Sequence, residues 1–313
     1  MAIDPLVTVI IATYNSRGTL ALTLNSVLNQ DWTDFEVWIV GDECTDNSAE
    51  VVSAFNDPRL NWVNLPKNTG SQSEPNNEGL RRARGQYIAY LGHDDLWLPW
   101  HLSTLIAHLQ ATSADLVHSL CVMIAPAGVF DAIGLPRDGV NYDLHTIVPS
   151  TWLHRLEVAG AIGGWRDPHS ISRAADFDFT RRAFVAGRRI EFAPVLSVLK
   201  FGSAWWKSYV RTGDPPQAAY LQALLKDPIA VRDQVLFDMA VAYTRYYRSV
   251  GKVSVRINLR EVYRDLHRLA GSIGRAAIDK FGRERFPLKR LLIVLQSRNV
   301  RKLRRARGLP PLK

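Results

Sequence analysis

The chain has 313 residues, 47% hydrophobic and 22% charged, which excludes a disordered chain and allows a sizeable core. Its two cysteines, Cys44 and Cys121, are too few for a disulfide framework and favour a reducing compartment such as the cytoplasm. The net charge of +9 is uneven, because residues 251–313 carry 18 Lys and Arg against 4 Asp and Glu and so sum to +14, which leaves about −5 for the rest.

Neither end of the chain resembles a targeting or membrane-spanning segment. Residues Met1–Pro5 lack the basic region that opens a signal peptide. The apolar run Leu291–Leu295 is far shorter than the roughly 20 residues that a membrane-spanning helix needs. We therefore expect no signal peptide and no transmembrane helix.

Strands and helices are predicted to alternate along the first 125 residues. The predicted strands cover 7–12, 35–40, 60–65, 86–91 and 115–124. After the first strand, Leu20, Leu24, Val27 and Leu28 recur at helical spacing, and further helices are predicted over 48–55, 77–84 and 99–110. This alternation predicts an α/β protein with a largely parallel sheet and right-handed connections.

The second half of the chain has a different pattern. Pro- and Gly-bearing segments follow residue 125, and regular structure is expected to return near Trp152. From about residue 215 the pattern is helical, and it includes an apolar stripe from Leu259 to Ile273 whose simplest interpretation is packing against the sheet. We predict a sheet domain over 1–212 and a helical, basic region over 213–313.

Two adjacent carboxylates follow the fourth predicted strand. The apolar run Tyr87–Leu91 leads into Gly92, His93, Asp94 and Asp95. Ligands of open parallel sheets bind beyond the carboxyl ends of the strands, and carboxylate oxygens suit Mg²⁺ or Mn²⁺. One interpretation is a metal-bound phosphate site, and the other is an N-cap for the next helix.

A further carboxylate, Asp42, follows the second predicted strand. If the first two strands are neighbours, Asp42 lies beside the loop after the first strand, where it could accept an N–H of uracil or guanine. Asp46 is predicted to cap the following helix. The polar connection 67–79 is long for a turn, which is typical of a ligand-binding loop or of a solvated surface.

The third acidic position is Asp176, which comes after the pair Gly163 and Gly164. If a helix begins there, Asp176 lies in its first turn, where the helix dipole favours an ionised carboxylate. An ionised carboxylate is what a general base acting on a hydroxyl must be. The alternative is a helix-capping acid paired with Arg182.

Taken in order, these motifs resemble the family-2 glycosyltransferases of GT-A fold. The resemblance rests on Thr13-Tyr14-Asn15 after a strand, Asp42, Asn68-x-Gly70, Asn77-x-Gly79, Ala83-x-Gly85-x-Tyr87, His93-Asp94-Asp95, and Gly163-Gly164 followed by Asp176-x-Asp178. It covers residues 5–205, and the ordered recurrence is far more specific than any single motif. It implies a Rossmann-type, mixed but mainly parallel sheet flanked by helices.

The resemblance also implies an activity, namely inverting transfer of a sugar from a nucleotide-sugar donor to an acceptor hydroxyl, with a divalent cation, Mg²⁺ or Mn²⁺. Residues 1–125 would bind the donor, and residues 126–212 would bind the acceptor. The implied donor-binding residues are Ala12, Thr13, Tyr14, Asp42, Asn77, His93 and Asp94, with Asp94 also the metal ligand and Asp176 the catalytic base. A UDP-sugar is favoured as donor, although Asp42 could also pair with guanine.

Some positions depart from the family pattern. Gly92 stands where the family commonly has the first Asp of its DxD motif, Ala175 where a Glu precedes the catalytic Asp, and Asn76 where an Arg is frequent. We therefore expect modest cation affinity, with the diphosphate held also by Lys200 or another cation. The processive Gln-x-x-Arg-Trp motif is not found in the sequence, so single-residue transfer is favoured. The departures motivate an alternative, a degenerate nucleotide-sugar-binding or scaffold protein without turnover.

The basic segment 286–305 combines positive charge with an apolar run. Each basic residue near an anionic leaflet contributes about 1 kcal/mol, so the segment predicts peripheral contact with the inner face of a membrane. That contact would suit a saccharide or lipid-linked acceptor in cell-surface polysaccharide, lipopolysaccharide or glycolipid synthesis. The alternatives are a solvated surface, an interaction tail and nucleic-acid binding; with no accompanying motif, we expect no nucleic-acid partner.

Overall fold

The computed structural model describes residues 5–136, 141–206 and 213–252. Its first half has the predicted alternation of strands and helices. The elements are β1 (Val7–Thr13), α1 (Arg17–Leu28), β2 (Phe35–Gly41), α2 (Ser48–Ser53), β3 (Leu60–Asn64), α3 (Ser73–Arg82) and β4 (Tyr87–Tyr90). These strands pair in the order β3-β2-β1-β4, and every pair is parallel.

The second half completes the sheet with shorter and more irregular elements. They are β5 (Leu96–Trp97), α4 (His101–Thr112), β6 (Leu116–Ala125), β7 (Gly128–Ile133), a 3₁₀ turn (Pro149–Thr151), β8 (Trp152–Arg155), α5 (Leu156–Ile162), α6 (Ala175–Val185), β9 (Ile190–Phe201), α7 (Ser203–Trp206), α8 (Gln217–Lys226) and α9 (Pro228–Lys252). Beyond β4 the sheet continues β8-β6-β9-β5, and β7 pairs with β6.

The direction of the strands changes within the sheet. β8 is antiparallel to both β4 and β6, and β5 is antiparallel to β9, whereas β6 and β9 run parallel. The predicted mixed α/β sheet flanked by helices is therefore confirmed, with its parallel character concentrated in the first half. The stretch after residue 125 nevertheless contains β7, and regular structure then returns with the 3₁₀ turn and β8 near Trp152, as the sequence predicted.

Helix α3 begins earlier than predicted. It starts at Ser73 rather than at residue 77, so the polar connection after β3 is shorter than the sequence indicated. Pro75 lies in the first turn of α3, where amide hydrogens have no acceptor within the helix. Proline has no amide hydrogen, so it costs the helix no hydrogen bond at this position. The structure corrects the predicted loop 67–79, whose last part is helical.

Both faces of the sheet are covered, because alternate residues of each strand point to opposite sides. Val9 and Ile11 of β1 share one apolar cluster with α1 and α4. Ile10, between them, belongs to a second cluster with α5 and α6, against which Leu80 of α3 packs. Each of these β1 side chains has 0% exposure. The three-layer arrangement leaves the strand ends as the accessible edge of the sheet.

The described C-terminal helices share a core with the sheet. Leu221 and Leu224 of α8 and Val231 and Val235 of α9 form one apolar cluster with residues of β5, β6 and β9. The boundary at 212/213 stays a prediction, as does the stripe 259–273, which lies outside the described residues together with the basic segment 286–305. Within the described ranges, no helix has both the length and the apolar character needed to cross a membrane.

Candidate active site

A cleft of about 200 Å³ opens at the carboxyl edge of β1, β2 and β4. We refer to it as the edge cleft. Because Thr13 at the end of β1 lies opposite Gly41 at the end of β2, the residues that follow these strands meet. The lining includes Ala12, Thr13, Tyr14, Asp42, His93, Asp94 and Lys200, all predicted from the sequence, together with Asn68, Gly70, Ser71, Gln72, Pro75, Gly92, Phe201, Gly202 and Ser203.

Asp42 anchors the loop that forms one wall of the edge cleft. Its Oδ1 accepts hydrogen bonds from the Thr69 amide (2.8 Å) and the Thr69 hydroxyl (2.9 Å), and its Oδ2 accepts one from the Gly70 amide (3.1 Å). Burial raises the pKa of Asp42, although these hydrogen bonds oppose the change. A carboxylate has about four acceptor sites, so one remains for a ligand. Sequence reasoning missed the anchoring role; the only signal was the nearby Asn68-x-Gly70 motif.

The loops after the three strands are joined through main-chain groups. Nδ1 of His93 lies 3.2 Å from the carbonyl oxygen of Ala12, and the amide of Asp42 donates to the carbonyl oxygen of Thr13 at 2.8 Å. A carbonyl oxygen can only accept, so Nδ1 of His93 carries the hydrogen. The walls of the edge cleft are thereby fixed to one another before any ligand enters.

Asp94 faces the edge cleft from the loop after β4 and is 6% exposed. Its Oδ2 accepts a hydrogen bond from the Ser203 hydroxyl, and its carbonyl oxygen accepts one from Nε2 of Gln217 at 2.9 Å. Both partners come from the chain beyond β9. Sequence reasoning missed them, because no motif links residues more than 100 positions apart.

The adjacent Asp95 has a different environment from Asp94. It is fully buried, and its Oδ2 accepts hydrogen bonds from Nζ of Lys200 (2.8 Å) and from the Ser150 hydroxyl (2.6 Å). The pairing of Leu96 with Leu199 between β5 and β9 brings these groups together. Burial disfavours the charge on Lys200, but the carboxylates of Asp95 and Asp94 outweigh it and raise the pKa of Lys200 above its usual range. Lys200 therefore stays protonated in its ion pair with Asp95.

The edge cleft fits a divalent cation only if the diphosphate and water supply most of its ligands. Among the described residues, no group of three or more His, Cys, Asp or Glu side chains is placed to hold a metal ion. Asp42 anchors a loop and Asp95 pairs with Lys200, so Asp94 is the carboxylate of these three that is left to bind a cation. A Cβ at Gly92 would lie 2.8 Å from Oδ2 of Asp95 and 3.3 Å from Oδ1 of Asp94, so a side chain at this position would require the buried Asp95 to shift. Mg²⁺ is often held by one or two carboxylates together with substrate phosphates and water, and Asp94 satisfies that minimum.

Asp176 is the second residue of α6, in its first turn as predicted. Its Oδ1 accepts the amide hydrogen of Phe177 at 2.8 Å. Burial raises the pKa of Asp176, while the Phe177 amide and the Lys200 ammonium act in the opposite direction. Asp176 does not line the edge cleft, but it is close enough to feel the charge of Lys200. The same ammonium therefore interacts with Asp94 and with Asp176.

The alternative pairing of Asp176 with Arg182 is wrong. Arg182 binds Asp178, with 2.7 Å between Nε and Oδ2, because the two residues are one helical turn apart on α6. Its other nitrogens donate to the carbonyl oxygens of Ile162 (2.5 Å) and Gly164 (2.7 Å). Arg182 thus fixes the turn at Gly163 and Gly164, which precedes Asp176 and is called the glycine turn below.

Asn77 lies away from the lining of the edge cleft. Its amide forms a reciprocal pair with the main chain of Trp165, donating to the carbonyl oxygen and accepting from the amide, both at 2.8 Å. The turn that Asn77 holds contains Gly163 (φ 73°) and Gly164 (φ 68°), a backbone region that favours glycine. Donor contact by Asn77 stays a prediction, and its observed contact is with this turn.

Comparison with known proteins finds a family model that matches part of the chain. Residues 8–135 match the family model described as Glycosyl transferase family 2. The UDP-Glc:alpha-D-GlcNAc-diphosphoundecaprenol beta-1,3-glucosyltransferase WfaP of Escherichia coli is 31% identical over 105 residues, which are 34% of this chain and 41% of WfaP. The chain spans between 33% and 46% of the length of the curated relatives that it matches.

Solved structures share the fold. The crystal structure of S. aureus TarS 1-349 in complex with UDP has a TM-score of 0.55 at 21% identity and covers 80% of this chain and 75% of that chain. The mannosyltransferase PcManGT from Pyrobaculum calidifontis, in complex with GDP-Man and Mn²⁺, has a TM-score of 0.52 at 18% identity and covers 90% and 89%. Residues 8–135 are thus similar to the family-2 glycosyltransferases, and the chain shares the GT-A fold of these solved structures.

Proposed function

We propose that the protein is an inverting glycosyltransferase that moves one sugar from a nucleotide-sugar donor to an acceptor hydroxyl, with a UDP-sugar as the favoured donor. One observation carries the proposal. Asp42, Asp94 and Lys200 line a single cleft at the strand ends, and the Lys200 ammonium also acts on the ionisation of Asp176. Donor-binding groups and a candidate base therefore share one region of the molecule.

The nucleotide is assigned to the wall formed by the loop after β1 and by Asp42. The acceptor site left on the Asp42 carboxylate suits an N–H of uracil, and a guanine N–H is the competing choice. The complexes of TarS with UDP and of PcManGT with GDP-Man support a nucleotide in this fold without choosing between the two.

The diphosphate is assigned to the floor of the edge cleft. A divalent cation held by Asp94 and the diphosphate would stabilise the negative charge that develops on the leaving group. Lys200 adds a positive charge that needs no metal, and its ion pair with Asp95 holds the ammonium in place. The Mn²⁺ complex of PcManGT supports a cation in this fold.

The acceptor hydroxyl is assigned to Asp176. A carboxylate with a raised pKa is a stronger base than an exposed one, and the nearby Lys200 favours its ionised form. Attack by the activated hydroxyl on the anomeric carbon, opposite the departing diphosphate, inverts the configuration in one displacement. Asp176 does not line the edge cleft, so it is expected to serve catalysis rather than donor binding.

The acceptor is proposed to be a saccharide or lipid-linked saccharide of cell-surface polysaccharide, lipopolysaccharide or glycolipid synthesis. The name of WfaP describes transfer to a diphosphoundecaprenol-linked sugar, which supports this class. We propose that the reaction takes place in the cytoplasm at the inner face of the membrane, with peripheral contact through the basic segment 286–305.

The assignment is tested by comparing Asp176→Asn and Asp94→Ala with the unaltered protein. Calorimetry with UDP and Mn²⁺ measures donor-site binding, and release of UDP with a saccharide acceptor panel measures transfer. Loss of a general base lowers the rate by about 100- to 10,000-fold, so we expect Asp176→Asn to bind UDP normally and to lose transfer to that extent. Asp94→Ala should weaken binding only when Mn²⁺ is present.

Asp233→Asn is the matched control, because its carboxylate is 61% exposed on α9 and lies outside the edge cleft. Transfer by Asp176→Asn at the unaltered rate would remove the base assignment. The second candidate function, a nucleotide-sugar-binding protein without turnover, is favoured by Gly92 and Ala175, which supply no carboxylate where the family commonly has one. Sustained release of UDP that depends on an acceptor excludes it.

A further inference from the structure

A second cleft, of about 430 Å³, lies along α6 and the loop that precedes this helix. Its lining consists of three arginines, two serines, two aspartates and three apolar residues, namely Arg166, Arg173, Arg181, Ser170, Ser172, Asp143, Asp178, Leu144, Ile171 and Phe177. We refer to it as the arginine cleft. The activity proposed above assigns no role to any of these side chains.

Most of the hydrogen-bond donors of these guanidinium groups are open. Nη1 of Arg166 forms an ion pair with Oδ1 of Asp178 at 3.6 Å, which is longer than a hydrogen bond, while Oδ2 of the same carboxylate is bound to Arg182. Arg173 stacks on the ring of Phe177 at 4.5 Å and forms no ion pair with a carboxylate in the described part of the chain. A guanidinium has five N–H donors, so these groups can receive an additional anion.

Arg181 is the third cation, and it binds Asp143 with 2.6 Å between Nε and Oδ1. The two side chains are 47% and 37% exposed. Ion pairs between groups this exposed are weak and are readily shared with another anion. The pair therefore does not block the arginine cleft and leaves the remaining guanidinium nitrogens of Arg181 available.

The position of the arginine cleft relative to Asp176 gives it a role. Phe177, which lines the arginine cleft, is the neighbour of Asp176 on α6, and Lys200, which lines the edge cleft, acts on the pKa of Asp176. Asp176 is thus next to a residue of the arginine cleft along α6 and within range of the charge of a residue of the edge cleft. The first turn of α6 is also the positive end of an 11-residue helix.

We propose that the arginine cleft binds an anionic group of the acceptor, a phosphate or a carboxylate, and thereby presents a hydroxyl of the same molecule to Asp176. The inference rests on the proposed function and adds the chemical class of the acceptor. Planar guanidinium groups bind phosphate and carboxylate oxygens in a bidentate manner, and the serine hydroxyl groups supply further donors.

A binding experiment tests the cleft without requiring turnover. The full chain is first saturated with UDP and Mn²⁺, which fills the edge cleft, and inorganic pyrophosphate is then titrated by calorimetry. We expect Arg173→Ala and Arg181→Ala each to weaken pyrophosphate binding at least tenfold while leaving UDP binding unchanged. Arg189→Ala is the matched control, since Arg189 is 57% exposed and paired with Glu191 away from the cleft. Equal pyrophosphate affinity in all variants would overturn the proposal.

A transfer experiment tests the acceptor class. The methyl glycoside of one hexose is compared with its 6-phosphate and with the corresponding uronic acid, which distinguishes phosphate from carboxylate. We expect an anionic acceptor to have at least a tenfold higher kcat/KM, and Arg173→Ala to remove the preference by raising KM. Equal kcat/KM for neutral and anionic acceptors would contradict the proposal. Absence of transfer to every acceptor would count against the proposed function alone, and the pyrophosphate titration would then decide the cleft.

Discussion

Lys200 connects the edge cleft with Asp176. Its ammonium is paired with the buried Asp95, lines the edge cleft and acts on the pKa of Asp176. In the proposed mechanism, a single charge would therefore assist the leaving group and keep the base ionised. No spacing in the sequence connects these positions, since Lys200 follows Asp95 by 105 residues.

The pH dependence of transfer is expected to report this coupling. The base acts when ionised, so kcat at saturating donor should rise with pH through the pKa of Asp176. Burial raises that pKa above the ordinary aspartate value of about 3.9. Lys200→Met removes a positive charge that lowers the pKa, so the acid limb of the profile should move to higher pH.

Lys200→Arg is the matched control, because it retains a positive charge at the same position. It should keep the acid limb of the unaltered protein even if its donor affinity changes. Profiles of kcat against pH, measured with donor in excess for all three proteins, provide the comparison. An identical acid limb in Lys200→Met would show that Lys200 does not set the ionisation of the base.

At the residue scale, the sequence located carboxylates better than it distinguished their roles. Asp42 and Asp94 were predicted to share a site, and both line the edge cleft, because parallel strands end at one edge of a sheet. The contrast between Asp94 and Asp95 was not predictable. Adjacent residues of a strand-end loop point in different directions, and only the pairing of β5 with β9 decides which carboxylate meets Lys200.

At the element scale, α3 connects the first half of the sheet to the glycine turn before α6. Asn77 binds the main chain of Trp165 from α3, and Trp165 is 3% exposed. Arg182 holds the same turn from α6. Two helices that lie far apart in sequence thus fix the segment that leads to Asp176.

Asn77→Ala is expected to loosen this turn. It removes two hydrogen bonds to a buried main chain, and each buried group left unpaired costs about 1–3 kcal/mol. We expect a lower free energy of unfolding and a lower kcat, with UDP affinity unchanged because Asn77 does not line the edge cleft. Chemical denaturation and UDP calorimetry provide the measurements.

Asn29→Ala serves as the control for that change, since Asn29 is an exposed residue whose side chain binds a main-chain carbonyl at the end of α1. It should alter stability and transfer little. If UDP affinity falls in Asn77→Ala as much as transfer does, the donor contact implied by the family resemblance would be favoured over the positioning role.

The close approach of α3 to β1 depends on Gly79. A Cβ at this position would lie 2.5 Å from Cγ2 of Ile10, a fully buried side chain. Gly79→Ala should therefore destabilise the protein by about 1–3 kcal/mol through overpacking. Gly18→Ala in α1 is the matched control, because no heavy atom lies within 4 Å of its added Cβ. Equal free energies of unfolding for the two variants would contradict this account.

The elements that local pattern predicted best were those of the first half. β1 and β2 are mostly buried and mostly apolar, and α1 has apolar residues at helical spacing. The local sequence of each element therefore predicts its secondary structure. β5 has two residues and exists because β9 pairs with it. The antiparallel β8 has four residues, and its place between β4 and β6 depends on contacts that are distant in sequence.

At the scale of the whole molecule, charge is divided along the chain. Residues 251–313 sum to +14 while the whole chain is +9. The full chain is therefore predicted to bind vesicles that contain anionic lipid and not vesicles of zwitterionic lipid alone, and the binding should weaken as salt is added. Co-sedimentation at several salt concentrations measures it. Equal sedimentation with both kinds of vesicle would contradict membrane contact through charge.

The position of β8 and β9 has a consequence for biosynthesis. The segment that matches the family model, 8–135, ends before β8, which joins β4 to β6, and before β9, which supplies Lys200. If only the first 135 residues have left the ribosome, the chain contains β1, β2, β3 and β4, which can pair with one another. Asp95 then still lacks its ion-pair partner Lys200. The edge cleft thus acquires the Lys200 charge late in translation, once β9 has been synthesised as far as its last residue, Phe201.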